Sequence, residues 1–347
     1  MKIAEMTHTG ILAGAKWVTI LIVLGLLVPA HDMTAAQKKK KKDQELVTQT
    51  LALPVEPPAV ATGEARRLVF QTVPLAAKGL LSQQTREGLK TAMKMAGGAP
   101  LIHIRAFVAG SGDLRRVPQL VSELFEDKKV RLPSVSVVQV GALPLENAQI
   151  AIEFVSAGKK DVNPDGLDFL GTDTFVENVA GATSKPLFEK AVGNLLERMA
   201  SRSPLAVTCF VSSLQNAGEM TSMLATKFPG AAKTLVQAQR APYQTYATCQ
   251  GAVRGGGSGA AVLAFSGTRV ASAENQTAIT MQRLDRDFSE AGAPSGSALF
   301  TNIYGLLPQA AEAARKLRAG EVTVVPVESV ASVQAAFAID SVAGVSK

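Results

Sequence analysis

Three histidines and two cysteines limit the chemistry open to this chain of 347 residues. His8 and His31 lie in or beside an apolar leader, which leaves His103 alone in the body. A zinc site needs three or four His, Cys or carboxylate ligands, and a Ser-His-Asp triad needs a histidine beside its serine. Neither is expected, no metal or cofactor is predicted, and His103 reads as a strand residue. Cys209 and Cys249 lack CxxC spacing and fall in strands that could neighbour one another. Two reduced, buried thiols are the expected state, with a disulfide as the alternative in an exported chain.

The elements that position these residues follow from a stretch that returns twice in altered form. Leu132 to Lys159, LPSVSVVQVGALPLENAQIAIEFVSAGK, holds a strand from Val135 to Val140, a Leu143-Pro144 break, and a second strand, Ile150 to Ser156, containing Glu153. The proline cannot donate to a ladder, so the two runs are separate strands. The order recurs at Lys233 to Arg254 and at Val322 to Gly344. This is a repeat of whole supersecondary units.

Before each stretch the chain reads strand, helix, strand, helix. In the first unit these are Arg67 to Leu75, Gln83 to Ala96 ending at Gly97-Gly98, Leu101 to Gly110, and a helix after Asp113 as N-cap. In the second they are Leu167 to Phe175, Leu187 to Met199, Leu205 to Leu214 and Met220 to Phe228. In the third, AVLAFSGTRV precedes a helix from Gln276 to Phe288, a strand from Leu299 to Tyr304 and a helix from Gln309 to Leu317. RGGGSG, Arg254 to Gly259, lacks a following Lys-Ser/Thr and reads as a linker between units, not a phosphate loop.

Composition supports a globular body, with 47% hydrophobic and 19% charged residues. The apolar run Trp17 to Ala30, preceded by Lys2 and Lys16, is short for a spanning helix and suits a signal peptide over residues 1–36, cleaved after Ala30 or Ala36. The expected location is therefore the periplasm or the extracellular space, without a stable membrane anchor. Lys38 to Lys42 supply most of the net charge of +7 and open a Lys-rich, Pro-containing spacer over 37–64. Such a run reads as a solvated tail, and the near-neutral body has no basic stripe with interleaved aromatics. Specific nucleic-acid binding is not expected.

The order of elements, with AFVAGSGDLRRVPQLVSELFED, CFVSSLQN, FPGAAKTLVQ and FSGT, resembles the RidA/YjgF reactive-intermediate deaminases, also labelled endoribonuclease L-PSP. The resemblance covers roughly residues 66–347 and implies an α+β fold of three tandem chorismate-mutase-like units, 65–160, 161–257 and 258–347. Each would be a mixed sheet with two helices on one face. Family members are homotrimers with active sites in the clefts between subunits, so three copies imply an intrachain pseudo-trimer and a monomeric chain. A sheet covered on one face must bury the other, and a closed three-fold ring does so.

The resemblance also places the chemistry. The family arginine that pairs with a 2-imino acid carboxylate falls at Val135, Lys233 and Val322, and the family glutamate at Ala151, Thr248 and Ala338. No copy keeps the pair. Glu153, Gln250 and Asp340 match another last-strand position of structural character. Thr72, Thr172 and Ser266-Gly267-Thr268 match a hairpin that contacts substrate. Lys233 with Thr234 is the one place left to hold a small anionic metabolite. The implied function is small-molecule binding or scaffolding by an exported protein with a degenerate site. The alternative is an enamine/imine deaminase that hydrolyses 2-imino acids to 2-keto acids through Lys233 and Thr234, or through a displaced Arg131.

Overall fold

The computed structural model describes residues 60–344 apart from 66–67, 111–112, 158–161, 180–181, 239–243, 256–262, 273 and 333. The chain divides into a leading unit, Met1–Leu51, and a body, Ala52–Lys347, to which all of these belong. The expected leader and lysine run lie outside the described residues, as do nearly all of the spacer and of the glycine-rich linker.

In order the elements are β1 (Val60–Ala65), β2 (Leu68–Thr72), α1 (Leu81–Met95), β3 (Leu101–Ala109), α2 (Arg116–Asp127), β4 (Ser134–Val140) and β5 (Ile150–Ala157). Next come β6 (Val162–Gly171), β7 (Phe175–Glu177), α3 (Lys185–Met199), β8 (Pro204–Val211), α4 (Ala217–Lys227), β9 (Ala232–Gln237) and β10 (Thr245–Arg254). The last are β11 (Leu263–Phe265), β12 (Arg269–Ala271), α5 (Thr277–Glu290), β13 (Ala298–Gly305), α6 (Pro308–Lys316), β14 (Glu321–Pro326), β15 (Ser329–Val330) and β16 (Phe337–Gly344). Among the described residues the fold is α+β with three mixed sheets.

Each sheet contains the same path. It runs β2-β5-β3-β4 in the first, β6-β10-β8-β9 in the second and β11-β16-β13-β14 in the third. The last two strands of each path are parallel and the other pairs antiparallel. A parallel pair needs a crossover, and α2, α4 and α6 supply it. Further strands extend the edges: β1 pairs β6, and β15 reaches from the third segment of the chain to pair β9.

Alternation along a strand sends successive side chains to opposite faces. In β3, Ile104 and Ala106 turn toward the helices, where they are fully buried with Leu89, Val121 and Phe125. The matching layer of the second sheet packs Phe188, Leu195 and Leu224 on Val207 and Cys249; that of the third packs Leu284 and Ala311 on Ile303 and Ile339. The opposite faces meet one another. Phe107, Phe210 and Tyr304, at corresponding places in β3, β8 and β13, stack edge to face with centroids 5.9 and 6.1 Å apart. Around them Val138, Val236 and Val325 complete one shared core.

Three sequence expectations need correction. Cys209 and Cys249 are not reduced but form a disulfide, because β8 and β10 set them directly opposite one another. Asp113 is not the N-cap of α2: Arg115 holds that place, and the Asp113 carboxylate instead accepts from the Arg115 backbone N–H at 3.0 Å. The run from Leu167 to Phe175 is also not one strand, since β6 ends at Gly171 and Phe175 opens β7.

Candidate functional site

The residues singled out in the sequence gather at three junctions, where the end of one sheet's first strand meets the parallel strand of another. At two the backbones touch. A Cβ on Gly171 would stand 2.8 Å from the Val135 carbonyl oxygen and 2.7 Å from Ser136 Oγ; one on Gly267 would stand 3.2 Å from both N and O of Lys233. Glycine is what permits this approach. The Thr268 backbone N–H donates to the Lys233 carbonyl at 3.0 Å, sealing the junction. Thr172 is tied down locally: its hydroxyl donates to the Asp173 carbonyl and accepts from the Cys249 N–H.

At the third junction, Thr72 occupies the place of those glycines, and the two strands meet through side chains. Its N–H donates to Glu321 Oε1 at 3.0 Å, and its hydroxyl lies 2.7 Å from that of Thr323. Beside it a cleft of about 750 Å³ opens between Leu75, Leu143 and Ala151 on one side and Val322, Val324 and Pro326 on the other. Ala151 and Val322, two of the positions singled out in the sequence, both line it. The charged groups on its lining are Arg315 and Glu312, locked together by two hydrogen bonds of 2.7 and 2.8 Å.

Lys233, the expected anion holder, does not face this cleft. Its ammonium donates to the Ala231 carbonyl at 2.8 Å. Thr234, one residue on, points the other way into the shared interior and donates to Asp340 at 2.9 Å. Arg131, the displaced alternative, is exposed before β4.

The sheet interiors enclose a second site, a cavity of about 80 Å³ lined by residues of all three. Its polar layer follows from register. Arg105 sits opposite Glu153, Thr208 opposite Gln250, and Asn302 opposite Asp340. Arg105 Nη1 lies 3.2 Å from Glu153 Oε2. Asp340 accepts from Tyr304 Oη, Asn302 Nδ2 and Thr234 Oγ1, each at 2.9 Å. Ser266 also lines the cavity, and its Oγ accepts from the Ser341 N–H. His103 stacks on Phe169 with ring centroids 5.5 Å apart and holds Ser134 Oγ at 2.6 Å from Nδ1.

Burial governs the titration here. It pushes Glu153 up to about 7, against the pull of Arg105. It also drives His103 down to about 3, aided by repulsion from Arg105, so the ring is neutral. Tyr304 is raised well above the usual phenol range, by burial first and by Asp340 second.

These shifts oppose one another in stability. Glu153, with its folded value raised, contributes stability that is full below pH 4.5 and lost as pH rises through about 7. His103, with its value depressed, contributes stability that is present above pH 6.5 and lost as pH falls toward 3. Between pH 4.5 and 6.5 the two slopes cancel. Urea unfolding of His103→Asn should therefore show stability rising on acidification from pH 7.5 to 4.5, by on the order of 3 kcal/mol. Glu153→Gln should instead show loss beginning near pH 6.5. Identical profiles for the two variants would refute the assignment.

Sequence reasoning missed Arg105, the central cation of this site. The signal was present, since a charge at an inward position of the apolar run LIHIRAFVAG demands a partner across the sheet.

No family model matches the chain, and no curated protein sequence does. Among solved structures it is similar to a chorismatase, at TM-score 0.48 and 9% identity over 83% of this chain and 99% of that one. It is also similar to a Rid-family protein of unknown function from Yersinia pestis, at TM-score 0.21 and 18% identity over 26% and 79%. A third likeness is to Escherichia coli TdcF with bound serine, at TM-score 0.24 and 21% identity over 31% and 94%. Part of this chain resembles Rid-family proteins.

Proposed function

We propose that the chain is an exported, RidA-like pseudo-trimer that binds a small molecule in the cleft beside Thr72 and does not hydrolyse it. The observation that carries this reading is the content of that cleft. Val322 and Ala151 stand where a deaminase needs a guanidinium for the substrate carboxylate and a carboxylate for the water. Arg315, the cation on the lining, has its fork occupied by Glu312. Such a cleft offers apolar area and a polar rim, which suits a ligand with an apolar body.

Three copies sharing one strand path, with the first strand of each pressed on the parallel strand of another, support a single-chain ring of units near 65–160, 161–257 and 258–347. The disulfide favours an oxidising compartment, in keeping with export. The test is keto-acid release from a freshly generated 2-imino acid. The purified chain should not exceed the buffer rate, and it should melt higher when a cleft ligand is added. Acceleration that disappears in Lys233→Ala would establish the deaminase instead.

A further inference from the structure

What the cleft beside Thr72 selects can be read from one of its walls, and this inference rests on the binding reading given above. That wall is a single face of α6. Pro308, Ala311, Glu312 and Arg315 recur at the three- and four-residue spacing that stacks side chains along one side of a helix, and all four line the cleft. Close packing sets the position of that face. A Cβ on Gly305 would stand 2.8 Å from the Ala311 Cβ, so α6 lies tight against β13, and Pro308 fixes its first turn.

The charge on the described lining is internal to this face. Arg315 Nε and Nη2 donate to Glu312 Oε2 and Oε1 at 2.8 and 2.7 Å, a parallel pair of bonds that uses the fork a ligand carboxylate would need. An anionic ligand would have to displace Glu312 and then lie beside a second carboxylate. A cationic ligand would meet Arg315. Rigidity narrows the class further. Pro74, Pro144, Pro308 and Pro326 reach the cleft from four separate segments, and a ring that locks φ also removes the backbone N–H. Such walls keep their shape and offer apolar area in place of donors, which favours a rigid ligand that loses little conformational freedom on binding. About 750 Å³ is ample for a fused ring system. We propose that Glu312 is the specificity-determining residue of the cleft: by occupying the Arg315 fork it excludes carboxylates and leaves the cleft to an uncharged, rigid, ring-bodied ligand.

Three naphthalene probes share one ring body and differ in the head: 2-naphthylmethanol is neutral, 2-naphthoate an anion and 2-naphthylmethylammonium a cation. Their binding to the folded chain would be followed at neutral pH by equilibrium dialysis with fluorescence readout, and decanol, a flexible neutral chain, would be added as a competitor. The alcohol should bind at least about tenfold more tightly than either ion. Glu312→Gln frees the Arg315 fork at an exposed position, and should raise naphthoate affinity at least about fivefold while leaving the alcohol within about twofold. Adding Arg315→Ala to that variant should abolish the gain, which places the effect at this wall. Naphthoate that binds the unaltered chain as tightly as the alcohol would overturn the proposal, as would a Glu312→Gln chain with no gain for naphthoate. Decanol binding more tightly than the ring alcohol, or no saturable binding by any probe, would overturn it too. Keto-acid release from a 2-imino acid, assayed on the same preparation, is the separate result that would defeat the binding reading itself.

Discussion

Arg105→Met should lower the unfolding free energy by about 3–5 kcal/mol, because it strips the buried Glu153 carboxylate of its counter-charge. The Glu153 side chain is 5% exposed, so bulk solvent compensates little for the lost guanidinium. Arg105→Met combined with Glu153→Leu should recover most of the loss, since a buried pair replaced by apolar groups of similar volume is often neutral. pH separates this account from simple loss of packing. Burial raises Glu153 to about 7, so at pH 5.5 the orphaned carboxyl is already protonated and the single variant should lose much less than at pH 8. A deficit that is the same at both pH values, in urea denaturation of single and double variants, would assign Arg105 a packing role only.

The second large effect is expected at Phe210. It is 1% exposed and touches both Phe107 and Tyr304, so it is the middle member of the ring layer that joins the three sheets. Phe210→Ala should cost about 3–5 kcal/mol through lost transfer energy and the cavity left behind. The distribution of the damage is the sharper readout. Amide exchange should quicken in β3 and β13 as well as in β8, because the removed ring supports side chains on both. Phe188→Ala, which empties a site between α3 and the second sheet alone, should quicken exchange mainly there. Equal, local effects from both would deny the ring layer its joining role.

Most element positions were legible because the helices and central strands carry clean periodicities. Leu89, Ala92 and Leu124 mark helix faces, and the alternation in LIHIRAFVAG marks a two-sided strand. What one strand's sequence does not carry is its register against another. The Cys209–Cys249 disulfide, the Arg105–Glu153 pair and the Asn302–Asp340 bond all depend on which residue stands opposite which. The candidate site was legible in part. Thr72, Thr172 and Ser266-Gly267-Thr268 do fall at junctions, and Thr72 borders the cleft. Glycine at 171 and 267 lets backbones touch where Thr72 meets its neighbour through its hydroxyl, and that appears only once the opposing strand is in place. Nor does a cation on a strand say which face it takes; the Lys233 ammonium donates to the carbonyl two residues back.

The central claim is that this chain closes on itself, each sheet supplying the surface that a separate subunit would otherwise supply. Solution mass by sedimentation equilibrium, across a hundredfold range of concentration, tests it most directly. The account predicts the mass of one chain throughout, because the inward faces carrying Phe107, Phe210 and Tyr304 are already filled within it. A stable trimer of chains would contradict it, since three such molecules would need inward faces that a single closed chain no longer has to offer.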